Sequence, residues 1–184
     1  PLIREEAGIS LLRDVVFSLL LLAGMLTMTG HKTVQAVFVV FIALTIIVRW
    51  ASIAFGTGGL SSLDTLLSML SLCAFTMVVL WQVNRKGPVT GHRVRGAVAG
   101  YLLLGFACAY AYTLIDLLIP GAFQMPAADL QPGEVRSDAF VYFSVVTLTT
   151  LGYGDITAVH PVARSVVMIE ALLGQLYPAI LIAR

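Results

Sequence analysis

The run Thr147 to Asp155 reads Thr-Leu-Thr-Thr-Leu-Gly-Tyr-Gly-Asp, polar and glycine-rich between two long apolar segments. It suits neither a good helix nor a soluble hairpin, because Gly152 and Gly154 favour backbone angles that other residues avoid. Alternating permissive and bulky residues would let successive carbonyls point the same way and offer a cation a column of oxygens. No other chemistry competes with it. His31, His92 and His160 are scattered over three loops, with no nucleophile and base pair or metal-ligand spacing, so the chain is expected not to be an enzyme and to need no cofactor. Cys73 and Cys108 lie inside apolar runs and read as small buried hydrophobes.

The composition sets where such a run must work. Of 184 residues, 59% are hydrophobic and 11% charged, with a mean hydropathy of +0.94, which places the chain in a lipid bilayer. A net charge of +1 gives no case for a nucleic-acid surface. No cleavable signal peptide is read at the mixed-charge start, Pro1 to Ser10.

The elements that position the run follow from hydropathy. Leu11 to Gly30 is long enough to span if Arg13 and Asp14 sit at the interface, and is otherwise an interfacial helix. Thr33 to Phe55 makes a second span, with Arg49 beside Trp50 as an interface anchor. After a Gly and Ser loop, Gly56 to Ser62, a third span should begin near Asp64, capped by Ser61 or Ser62, and run to about Val83. Arg85, Lys86, Arg93 and Arg95 then fall in a basic Gly and Pro linker. A fourth span runs from about Val94 to Ile119 and stops at Pro120.

Gly121 to Ser137 reads as an exposed turret, too irregular for lipid. Ser137 or Asp138 can cap a short helix from Ala139 to about Thr149, too short to cross the bilayer, which must therefore enter and return. A last span covers Pro161 to Ile182. The basic linker 85–95 belongs on the cytoplasmic side by the positive-inside rule, which turns the glycine-rich run outward.

Thr-Thr-Leu-Gly-Tyr-Gly-Asp resembles the potassium-channel filter signature, with Leu151 where that family usually has Val or Ile. The resemblance extends over Val94 to Arg184, with outer helix, turret, short helix, filter and lining helix in the family's order. It implies an all-α integral membrane protein: a homotetrameric pore module over 91–184, preceded over 1–90 by about three transmembrane helices of unassigned role. The implied function is passive, K+-selective conduction across the cell membrane. A weakly selective or non-selective cation channel, or a subunit with a mainly sensory or assembly role, is the alternative.

By the same resemblance, K+ is held by the backbone carbonyls of Thr150, Leu151, Gly152 and Tyr153 and by the Thr150 hydroxyl, with Gly154 completing the filter. The C-terminus of the short helix would aim negative charge at a central cavity. Tyr142 and Phe143 either pack behind the filter or make plain lipid and core contacts. Asp155 is either part of an outer carboxylate ring or a local partner for the turn. Several family members pair an acid within the short helix with this aspartate, and here that position is Val146, which takes away one interaction that steadies the filter.

Gly174 stands where many of these channels place a hinge glycine, although close helix packing would equally call for glycine. Pro178, four residues on, favours a bend, and a gate is expected over Leu176 to Ile180. The Arg or Lys ladder of a voltage sensor is absent from the spans. Besides lipid, a cytoplasmic regulatory domain or subunit outside this chain is a possible partner.

Overall fold

The computed structural model describes residues 40, 42–43, 45–48, 50, 58–84, 91–126 and 137–183. The first expected span, most of the second, the linker at 85–90 and the turret at 127–136 lie outside the described residues. Backbone packing divides the chain into Pro1–Leu60 and Ser61–Arg184. Of the first unit, the described positions between 40 and 50 are helical.

Among the described residues, three helices have the length and apolarity to cross a membrane. Helix α1 is Gly58–Asn84, with its apolar stretch over Leu63–Trp81. Helix α2 is Gly91–Leu118, apolar from Val94. The last, which we number α4, is Pro161–Ile182. Its 22 residues rise about 33 Å at about 1.5 Å each, matching a hydrocarbon core of about 30 Å. Between α2 and α4 lies α3, Ser137–Leu148. Its 12 residues reach only about 18 Å, so it cannot span.

Two boundaries differ from the sequence reading. Helix α1 starts at Gly58 rather than near Asp64, taking up all but the first two residues of the expected Gly and Ser loop. Helix α2 starts at Gly91, so His92, Arg93 and Arg95 are helical and not part of an irregular linker. The apolar edge at Val94 marks where side chains leave water, whereas backbone hydrogen bonding continues past it, and the Arg95 Nε donates to the Gly91 carbonyl at 3.3 Å. The far end of α2 falls at Leu118, just before Pro120, which cannot supply the next amide.

The expected turret begins with order. Phe123–Gln124 forms strand β1 and pairs antiparallel with β2, Thr157–Ala158, in the register Phe123 to Ala158 and Gln124 to Thr157. The Val159 and His160 amides both donate to the Ala122 carbonyl, at 2.9 and 3.2 Å. This strap fixes the segment after the glycine-rich run to the end of α2. Under it sits an aromatic core of Tyr112, Phe123, Phe140 and Phe143, with ring centroids 4.9 to 6.2 Å apart. Several of the pairs meet edge to face, the arrangement ring quadrupoles prefer. Phe140 and Tyr112 are fully buried.

Helix α4 begins with its own cap. The His160 Nδ1 accepts from the Val162 amide at 3.3 Å, and Pro161 occupies the first turn, where its missing N–H costs nothing. Beyond that turn α4 leaves Met168, Ile169, Leu172, Leu173, Leu176 and Ile180 exposed. A stripe of that size needs lipid or protein against it.

Candidate functional site

The glycine-rich run starts inside the end of α3. The Leu151 amide donates to the Val146 carbonyl at 2.9 Å, and the Thr150 amide donates to the Thr147 carbonyl at 2.9 Å. These two bonds, with Thr150 at φ 59°, form a Schellman cap with Thr150 in the left-handed position usually given to glycine. A β-branched residue there carries about 1–2 kcal/mol of steric cost, so the surrounding bonds must enforce it. The sequence reading placed Thr150 in the filter but did not foresee this cap.

Helix α3 therefore does not end on free carbonyls. The Val145 carbonyl accepts from the Thr149 amide at 3.0 Å. The Leu148 carbonyl accepts from the Tyr101 hydroxyl of α2 at 2.8 Å. The whole last turn is thus hydrogen-bonded within the chain, which offsets part of the partial charge expected at a bare C-terminus.

Past the cap, φ is positive at Thr150, Gly152 and Gly154, with values of 59°, 59° and 76°, and is not positive at Leu151 or Tyr153. Alternation of backbone handedness turns successive carbonyls toward one side, where a strand would alternate them. No atom lies within 4 Å of a Cβ added at Gly152 or Gly154. Space does not demand glycine at these two positions; backbone angle does. Leu151 and Tyr153 are 57% and 66% exposed in the single chain. A groove of about 510 Å³ runs between this segment and α4, lined by Thr150, Gly152, Asp155, Arg164, Met168 and Ala171 among others.

The support residues separate. Phe143 is buried in the aromatic core and Val146 is buried as well, whereas Tyr142 is 42% exposed. Tyr142 instead reaches Asp155. Its hydroxyl donates to the Asp155 carboxylate and holds it below the usual carboxylate range; partial desolvation opposes this, and the amides of Ile156 and Asp155 add to it. Hydrogen bonds to the charged form favour that form. The sequence by itself does not pair these two residues, which stand apart on the short helix and in the turn after it. With the apolar Val146 at its place on the short helix, the partner that α3 gives Asp155 is Tyr142.

Gly174 lies directly against the end of α3, where an added Cβ would stand 2.1 Å from the Leu148 oxygen. The contact itself requires glycine. The Tyr101 hydroxyl bridges the same point, with the Gly174 carbonyl at 3.5 Å. Tyr101 also stacks on Tyr177 with centroids 5.8 Å apart, and Tyr177 donates to the Ala97 carbonyl at 2.9 Å. Pro178 sits inside α4, which continues through it to Ile182.

A further residue escaped the sequence reading. Glu170, midway along α4, is fully buried and accepts from the Tyr112 hydroxyl of α2. It also contacts the Ser144 hydroxyl of α3. Its signal was an ionisable side chain inside an apolar span, a placement that is costly without partners. Among the described residues there is no group of three or more His, Cys, Asp or Glu that could hold a metal ion.

A family model described as an ion channel matches residues 131–184, the stretch that carries α3, the glycine-rich run and α4. Searches of curated proteins and of solved structures return no match. The chain is thus a multi-pass helical membrane protein, and the match supports an ion channel.

Proposed function

We propose that an ion-channel module of this kind, with Thr150 to Gly154 as its filter, conducts K+ selectively. The observation that carries the reading is the alternation of φ along Thr150, Leu151, Gly152, Tyr153 and Gly154. An ion leaving water must be given back its oxygen shell, since a bare charge in an apolar medium costs tens of kcal/mol. Carbonyls of Thr150, Leu151, Gly152 and Tyr153 directed to one side, with the Thr150 hydroxyl at the inner mouth, supply that shell without a titrating group.

One chain offers oxygens from one side only. A closed ring of copies completes the cage, and with one filter run per subunit the resemblance to potassium channels implies four of them. The exposed stripe on α4 and the exposed Leu151 and Tyr153 give such copies apolar surface to cover. In this assembly Asp155 forms a ring at the outer mouth, facing the extracellular side of the cell membrane. The gate lies near Pro178, where α4 lacks one backbone donor.

Protein reconstituted in liposomes tests the reading. A K+ gradient should drive a flux that an equal Na+ gradient does not. Equal permeability replaces K+ selectivity with a non-selective cation pathway, and absence of flux removes the channel reading.

A further inference from the structure

Glu170 is fully buried where α2, α3 and α4 all contribute polar side chains to a common group. Tyr112 donates to one carboxyl oxygen, Ser144 contacts the other, and the Cys108 thiol also faces the carboxyl. None of these three partners carries positive charge. Ser144 has a second contact, its Oγ lying 2.7 Å from the Gly105 carbonyl of α2. Close approach there depends on Gly105, where an added Cβ would stand 3.3 Å from a Leu148 methyl and 3.5 Å from the Ser144 Oγ.

Hydrogen counting decides the state of the acid. A serine hydroxyl owns one hydrogen, and a carbonyl can only accept. If Ser144 donated to an ionised Glu170, its oxygen would face the Gly105 oxygen at 2.7 Å with no hydrogen between them. If Ser144 donates to Gly105, the contact with Glu170 needs a hydrogen that only the acid can supply. A protonated Glu170 satisfies both contacts, and Tyr112 donates to its other oxygen in either case. An ionised carboxylate buried without a cation would also carry a large desolvation cost.

We infer that Glu170 is held as a neutral carboxylic acid, the middle link of a chain running Tyr112 to Glu170 to Ser144 to the Gly105 carbonyl, and that it is the positioning residue that seats α3. The chain has one direction, each hydroxyl donating to the next oxygen. It pins α3 at Ser144, less than two turns before Thr150, so the seat of α3 sets where the filter backbone starts. The protonation state stands on the hydrogen count and on burial, whereas the effect on the filter rests on the proposed channel function.

Infrared difference spectra of the wild-type chain against Glu170→Gln read the acid directly. The wild type should show a protonated-carboxyl C=O band, shifted in deuterium oxide, that the variant lacks; loss of carboxylate bands instead overturns the inference. Flux supplies the second readout. Glutamine mimics the neutral acid, its amide donating to Ser144 and its carbonyl accepting from Tyr112, so K+ flux should stay within about twofold of wild type. Glu170→Ala leaves the Tyr112 hydroxyl without its acceptor and cuts the link from α4 to Ser144, and should lower flux about tenfold or more. Glutamine as damaging as alanine overturns the positioning role of a neutral acid. A wild type that shows the acid band but passes no K+ supports the protonation state and removes the channel reading instead.

Discussion

The Leu148 carbonyl oxygen lies 2.1 Å from the point where a Cβ on Gly174 would stand, with the Leu148 carbonyl carbon and Cα at 2.9 and 3.0 Å. The obstructing atoms are backbone, so no rotamer change relieves them. Gly174→Ala must push α4 away from the end of α3, at a cost of about 1–3 kcal/mol typical of overpacking. Unfolding in detergent should show that loss. A hinge role makes a different demand: single-channel recording should then show changed open probability in surviving channels, and unchanged gating assigns Gly174 to packing alone.

Gly152 has φ 59° with nothing near its missing side chain. Gly152→Ala therefore meets no clash and is opposed by the backbone, at about 1–2 kcal/mol for a left-handed residue. Relief of that strain turns the local peptide. The expected outcome is loss of K+ flux or selectivity with assembly on native gels intact, and normal selectivity in this variant would sink the filter assignment.

Tyr142 holds Asp155 below its ordinary carboxylate value. A depressed acid contributes stability that is present above its unfolded value and is lost as pH falls through the folded one. Tyr142→Phe removes the main cause, so the acid limb of flux against external pH should move upward, toward the ordinary aspartate range. An unmoved limb would show that Asp155 does not govern the outer mouth through this bond.

Phe140 is fully buried and meets Phe123 edge to face with centroids 4.9 Å apart. Phe140→Ala opens a cavity beneath the β1 and β2 strap and should cost about 3–5 kcal/mol. Calorimetry or denaturant unfolding in detergent checks it, and a loss below about 1 kcal/mol would mean that the core collapses onto the gap. Phe140→Leu, which keeps most of the volume, should recover much of the loss.

Hydropathy and turn chemistry located most of the architecture around the site. The last span emerged with its observed bounds because Pro161 starts it and the apolar run ends with it. The short helix was legible for the same reason, as an apolar stretch too brief to cross. The start of α2 was not, because charged residues at 93 and 95 read as linker when only side-chain polarity is weighed, while the backbone continues its hydrogen bonding into the interface.

Sequence alone determined that this chain is a membrane protein, where its apolar segments lie and which nine residues interrupt them with glycines. Those are properties of composition and local spacing, and lipid leaves the backbone few ways to answer them. Tertiary structure alone decided that Thr150 ends α3 as a left-handed cap, that Tyr142 serves Asp155, that Gly174 marks a backbone contact, and that Glu170 joins three helices. The last two are relations set by how one helix is rotated and seated against another, and the first two by how the chain turns back on the end of α3. Ser144 and Glu170 stand 26 positions apart, and Tyr112 and Glu170 stand 58 apart. No local pattern in the chain announces that such residues meet.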